Sequence, residues 1–263
     1  MKFIGIDLGW QSGPSGLSCL ELKADALKLT HLDRKDTLEQ VLDWVDAIVP
    51  NSSSPTPAII AIDAPLRISN QTGIRLADRQ AHKHFGKHHA GCYPVSLNSP
   101  FATKLVQFSQ TLEQRGFSHA PTITARKLGR YQIEVFPHPA SIQLFQLSQI
   151  LKYKKGRLAQ RAAALSQLKT LILSELPKQE PALVIAQLPS IPTTGKALKA
   201  AEDKLDSILC AYIAAHWWYW GERRNGVLGD RTSNDTSYII VPSPSQAPVS
   251  LISESNNSVK QHL

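Results

Sequence analysis

The chain has 263 residues, 42% of them hydrophobic and 19% charged, enough to bury a real core in one large domain. Its formal net charge is +8, and three widely spaced cysteines (Cys19, Cys92 and Cys210) make no disulfide framework. No window reaches the roughly 18 apolar residues of a membrane span, because His216 interrupts Ser207–Gly221, and Asp7 stands where a signal peptide would keep its apolar region. The expectation is a soluble cytoplasmic protein that neither spans a membrane nor is secreted.

Residues 2–8 form a short apolar run ending at Asp7-Leu-Gly, which predicts a buried strand followed by a tight turn. Leu17–Lys23 and Ala26–Leu32 then predict two strands of a hairpin joined at Ala24-Asp25. Asp36 and Glu39 have capping-box spacing ahead of Leu38, Val41, Leu42, Val45 and Ile48, which recur at helical period. After a Ser/Pro-rich loop at 51–57, the uninterrupted apolar run Ala58–Asp63 predicts a central strand covered on both faces. It ends at Asp63-Ala-Pro65.

Charge is concentrated in the next segment. Residues 67–130 hold ten lysines and arginines against two acids, with five histidines besides, whereas residues 1–66 hold five against nine. A block of this kind points to a polyanionic partner more than diffuse basicity does, although a solvated basic face is the plainer alternative. Helices are expected around Gly73–Phe85 and after Ser99-Pro100, where serine caps and proline opens a helix. Tyr131–Phe136 predicts a strand stopped by Pro137-His-Pro139. Leu158–Leu176 and Ala200–Trp220 predict long helices, Tyr238–Val241 a last strand, and the Ser/Asn/Pro-rich residues 243–263 a disordered tail.

Strand, hairpin, helix, strand, basic insertion, strand and helices in that order describe an α/β fold. The first three strands pair antiparallel, parallel strands follow, and helices cover the sheet. That order matches a ribonuclease H-like core, as one domain over residues 1–242 with a basic helical insertion at about 67–130. The first half of sugar-kinase and actin-type folds shares this topology.

Carboxylates fall where such a sheet keeps its chemistry. Asp7 and Asp63 end two strands expected to be central, Glu134 lies in a third, and Asp203 and Asp206 share a face of the last long helix at i, i+3. Each has an ordinary alternative: a turn cap for Asp7, an Asx-turn for Asp63, an arginine partner for Glu134, a helix-start position for Asp203. As a cluster they repel by roughly 3 kcal/mol per pair at 5 Å and an effective dielectric near 20, and persist only with shared protons or bound cations. Oxygen-only ligands favour Mg²⁺ or Mn²⁺, and two such ions are suited to in-line phosphodiester cleavage.

Phe3-Ile-Gly-Ile-Asp7-Leu-Gly9 resembles the opening strand of RuvC-type resolvases, and Asp203-Lys-Leu-Asp206 followed by small apolar residues and His216 resembles their final helix. Further motifs are Ala61-Ile-Asp63-Ala-Pro-Leu66, Glu134-Val-Phe-Pro-His-Pro139, Lys152-Tyr-Lys-Lys-Gly-Arg157 and Gly229-Asp230. The whole set resembles the family called domain of unknown function 429, described as predicted nucleases of ribonuclease H-like fold. The resemblance covers about residues 1–242. It implies a metal-dependent nuclease in which Asp7, Asp63 and Asp206 are catalytic acids, with Glu134 as a further catalytic candidate. Asp7, Asp63, Asp203 and Asp206 would hold two Mg²⁺ or Mn²⁺ ions. RuvC-type enzymes commonly carry glutamate where this chain has Asp63, and Glu134 has no counterpart in the minimal core.

Arg75, Arg79, Lys83 and Lys87 recur every four residues as one helical stripe. Lys152, Lys154, Lys155 and Arg157 surround Tyr153 in a loop ahead of a helix. Arg75, Arg79 and the loop cations are candidate phosphate contacts to nucleic acid, with Tyr153 available for stacking. His82, His84, His88, His89 and Cys92 match no closed zinc ligand set. Trp217, Trp218 and Trp220 read as packing. Two rivals to the nuclease stand: a small-molecule kinase of the actin-like superfamily, against which a late glycine-rich adenosine motif is missing, and a nucleic-acid-binding module without turnover. A homodimer would suit a junction-type enzyme.

Overall fold

The computed structural model describes residues 1–9, 13–52, 54–230 and 237–243. β1 (Lys2–Asp7) and β4 (Ala58–Ile62) are almost wholly apolar, so they lie side by side and parallel in the middle of a seven-stranded sheet, with Ile6 opposite Ile62. β2 (Ser15–Lys23) runs antiparallel to β1, and β3 (Ala26–Lys35) antiparallel to β2, with an irregularity at Cys19/Leu20. β6 (Arg130–Glu134) adds parallel to β4. β5 (Ser118–His119) and β7 (Ala182–Val184) close the two edges, giving the order β5-β6-β4-β1-β2-β3-β7. Antiparallel strands first and parallel strands after is the mixed arrangement expected of a ribonuclease H-like sheet.

Period-two alternation divides the sheet's side chains between two helix layers. Ile4, Ile6, Leu17, Cys19, Ile60 and Ile62 pack under α1 (Leu38–Ile48) and α3 (Ala102–Gln114). Phe3, Leu20, Ile59, Ala61, Ile133 and Val135 face α4 (Pro137–Phe145), α5 (Leu158–Glu175) and α6 (Gly195–Trp220). α6 is buried on nearly all sides from Asp203 to Trp218, as a helix at the centre of a core must be. Gly5 and Gly16 bring it close. A Cβ on Gly5 would fall on the Ser207 carbonyl, and one on Gly16 on the Asp203 backbone. Ser18 Oγ donates to the Ser207 carbonyl at 2.8 Å. These contacts set Asp203 and Asp206 down over the ends of β1 and β2.

Several expectations change. The α1 cap is Thr37, whose side chain accepts from Gln40 N, while Gln40 Oε1 accepts from Asp36 N; the reciprocal pair is displaced one residue from Asp36/Glu39. Pro137-His-Pro139 ends β6 but also opens α4, because N–H groups in a helix's first turn have no intrahelical partner for proline to remove. Ser99 does not cap α3; it closes a turn with Ser96, and the helix starts at Ala102. Leu105, Phe108 and Leu112 of α3 belong to the main core, so α3 is a layer helix and the segment outside the layers is shorter than 67–130. Within it, α2 (Leu76–Phe85) packs on a separate ribbon, β8 (Asn225–Gly229) paired antiparallel with β9 (Tyr238–Pro242). Trp217 and Trp218 are buried and donate to Ala120 and Lys127 carbonyls, as packing tryptophans do. No helix among the described residues is long and apolar enough to cross a membrane. The expected tail lies outside the described residues but for Ser243.

Candidate active site

Asp7 ends β1 and Asp63 follows β4 in the next register step, so neighbouring strands about 4.8 Å apart present the two carboxyls side by side. Asp63 N also donates to the Ile6 carbonyl at 2.9 Å. Alternation turns both carboxyls toward α6, where Asp206 is fully buried (0% exposed). Asp206 Oδ1 accepts from the Tyr153 hydroxyl at 2.8 Å. Lys154 Nζ stands 2.8 Å from Oδ2, which receives no well-aligned hydrogen bond. The structure therefore brings Asp7, Asp63 and Asp206 together, with the Lys154 ammonium as the cation between them.

Electrostatics record the crowding. Burial holds the Asp7 carboxyl well above the usual range, opposed by Lys154 and reinforced by Asp206, Asp63 and Asp203. Burial likewise raises Asp63 to about 6, with Lys154 pulling down and Asp206 pushing up. Lys154 loses hydration on burial, but Asp206 and Asp7 more than offset this and keep it charged. Beside them, burial and Lys154 lower His138 to about 4, leaving a neutral imidazole whose Nδ1 lies 3.5 Å from the Tyr153 oxygen.

This has a consequence for stability against pH. An unfolded Asp titrates near 3.9, so between about 4 and 6 the folded chain holds a proton at Asp63 that the unfolded chain has lost. The associated stability is present below 4 and lost as pH rises through 6. Asp63→Asn therefore melts above the wild type at pH 7.5, by roughly 2–4 °C for each kcal/mol of relieved repulsion. The difference shrinks on acidification toward pH 4 in paired thermal melts. A variant that melts lower at pH 7.5 would refute the crowding.

Glu134, Asp203 and Arg75 are placed differently from the sequence expectation. Glu134 sits opposite Ile62 in the register, so its side chain leaves the sheet on the α1/α3 face, the opposite face to Asp7 and Asp63. There it accepts from Leu66 N at 2.9 Å and from Arg75 at 3.0 and 2.6 Å. Burial raises it to about 7, against the pull of Arg75. Arg75 is 3% exposed, and all five of its N–H donors are used, on Glu134, Asp78 and the Arg67 carbonyl. It is no phosphate contact; it is the counter-ion of two buried carboxylates. Asp203 is held by Arg34 at 2.9 Å and Lys199 at 2.7 Å, so its oxygens already have cations.

Arg79, Lys152, Lys155 and Arg157 are exposed, as phosphate contacts must be, and Lys154 is half-buried. Tyr153 is 1% exposed and bonded to Asp206, which corrects the expectation that it stacks on bases. His216, ten residues beyond Asp206 and thus about 15 Å along the helix, bonds Asn225 and stands apart from the acids. The His82–Cys92 segment supplies no metal cluster among the described residues.

Sequence reading missed the cavity beside the acids. It measures about 540 Å³ and runs from Asp63 past Lys154 to Cys92, Tyr93 and Val95, floored by Phe136, Ile150, Leu151 and Ile239. Its walls come from the insertion, the α4–α5 loop and β9, which no local pattern links. A Pro-flanked aromatic, Tyr93-Pro94, was the one available signal.

A model of the family described as "Protein of unknown function (DUF429)" matches residues 5–232. The chain belongs to the DUF429 family. Its match runs from the second half of β1 past Gly229-Asp230, and so includes all three clustered acids and the Lys152–Arg157 loop. A comparison with curated proteins finds no match.

The donor chemistry of this DUF429 site fits a hard divalent cation. The donors are all oxygen, and the Asp7 and Asp63 carboxyls are governed by burial and neighbouring charges. Asp206 Oδ2 lacks an aligned donor, and three acids face one ammonium. No three His, Cys, Asp or Glu side chains among the described residues are arranged to close on one ion as they stand. The fit lies in charge and donor type.

Proposed function

We propose that this DUF429 protein is a metal-dependent phosphodiesterase acting on nucleic acid. The observation that carries the reading is the convergence of Asp7 and Asp63, at the carboxyl ends of central strands, with Asp206 of α6, three acids whose charges oppose one another. These three would hold Mg²⁺ or Mn²⁺; such ions, when bound, generate the attacking hydroxide and steady the leaving oxygen. Lys154, 2.8 Å from Asp206 with its side chain 31% exposed, would meet the scissile phosphate. Exposed Lys152, Lys155 and Arg157 hold flanking phosphates, and Arg79 lies farther out on α2. Asp203 and Glu134 act as positioning residues through their cationic partners.

A cytoplasmic setting, and nucleic acid as partner, go with this reading and with three unpaired cysteines. A homodimer is compatible with it. The kinase reading has less support: the second sheet among the described residues is the two-stranded β8–β9 ribbon, too small for a second core half. The test is cleavage of labelled single-stranded, duplex, hybrid and four-way-junction substrates with Mg²⁺ or Mn²⁺. Metal-dependent cleavage supports the nuclease. Salt-sensitive binding without cleavage in any arm favours the binding module.

A further inference from the structure

The cavity next to the acids has a polarity of its own. One wall carries Asp78 and Glu134, buried carboxylates whose bonds to Arg75 and Leu66 N leave acceptor positions unused. The floor is apolar, made by Phe136, Ile150, Leu151 and Ile239. Lys152, Lys154 and Lys155 line it as well. At about 540 Å³ it is the size of a small-molecule site, and larger than a packing defect.

Tyr93 completes the wall. It is 70% exposed, an unusual state for a large ring, with the Lys155 ammonium 2.9 Å from its hydroxyl and 5.6 Å from its ring centre. An exposed ring in a partly apolar lining offers a stacking surface, unused acceptors suit exocyclic amino groups, and ammonium groups suit phosphate. A nucleotide joins these three features in one molecule.

We infer that the cavity receives one nucleotide unit, its base stacked at Tyr93 with amino or imino N–H groups toward Asp78 and Glu134, and its phosphate at Lys152 and Lys155. The inference rests on the nuclease reading and narrows its substrate: a strand delivers an unpaired nucleotide, at an end or extruded from a duplex, beside the three acids. Burying the base there holds the adjoining phosphodiester near Asp63, which lines the same cavity.

Isothermal titration with adenosine, guanosine, cytidine and uridine monophosphates tests this without metal or turnover. The wild type binds at least one base saturably, and a base with exocyclic amino groups binds better than uridine monophosphate. Tyr93→Ala, at an exposed position that does not endanger folding, weakens binding about tenfold, the effect of losing one stacking face. Val95→Trp, filling the cavity, abolishes it, with the melting curve checking that the fold is kept. Oligonucleotides with an unpaired end compete with the mononucleotide, and blunt duplexes do not. Absence of mononucleotide binding, or binding indifferent to both substitutions, overturns the cavity assignment even if duplexes are cleaved. Mononucleotide binding with no cleavage of any strand keeps the cavity and removes the nuclease.

Discussion

On the proposed nuclease reading, Asp7→Asn is expected to abolish metal-dependent cleavage, by at least a factor of about 100, and to leave the protein folded and its proposed nucleic-acid binding intact. The expectation follows from what surrounds the side chain. The Asp7 carboxyl is shifted by burial and neighbouring charges, so an isosteric amide removes the ionisable group and little packing. Burial, with Asp206 and Asp63, raises this carboxyl above the usual range, so its charged form is costly unless a cation uses it. Losing one preorganised charge of a catalytic site commonly costs 10²–10³ in rate. The check is the initial cleavage rate with Mg²⁺ beside the melting temperature and a binding isotherm. Equal rates for variant and wild type would place the chemistry elsewhere.

Arg75→Ala is expected to be the most damaging single substitution for stability outside the apolar core. It strips Glu134 and Asp78 of their shared counter-ion inside the protein, which typically costs about 3–5 kcal/mol. In a domain of this size that is a melting-temperature loss on the order of 10 °C. Arg75→Lys recovers only part of it, because one ammonium cannot make the five directed bonds of the guanidinium. Urea unfolding of the two variants measures the difference. A loss below about 1 kcal/mol for Arg75→Ala would mean that Glu134 and Asp78 are neutral or hydrated.

The contrast between these two residues shows what is legible in the sequence. Asp7, Asp63 and Asp206 were recognisable because each sits at a position fixed by a local pattern: the end of an apolar strand, or a helix with small apolar residues. Both central strands, and the antiparallel pairing of the first with a hairpin, follow from the same patterns. Arg75 was read as part of a basic stripe because its partner Glu134 is 59 residues away, and Asp203 as a metal ligand because Arg34 is 169 residues away. Charge pairing at such separations leaves no periodicity. Tyr153 shows the same limit: a tyrosine among lysines reads as a stacking ring until the fold lays its hydroxyl on Asp206.

Short elements were missed for a different reason. β5 and β7 have two and three residues, too few for alternation to register, β8 (Asn-Gly-Val-Leu-Gly) carries turn residues at both ends, and α4 was hidden by prolines that serve both as a strand stop and a helix start. The cavity combines both problems, since its apolar lining joins the β6–α4 junction, the loop after α4 and β9.

Manganese binding tests the central claim most directly, because it needs no knowledge of the substrate. Free Mn²⁺ is followed by electron paramagnetic resonance as the wild type, Asp7→Asn and Asp206→Asn proteins are titrated at pH 7.5. The account predicts saturable binding by the wild type and at least tenfold weaker binding by either variant. Binding that is the same in all three proteins, or absent from the wild type at millimolar Mn²⁺, would contradict it.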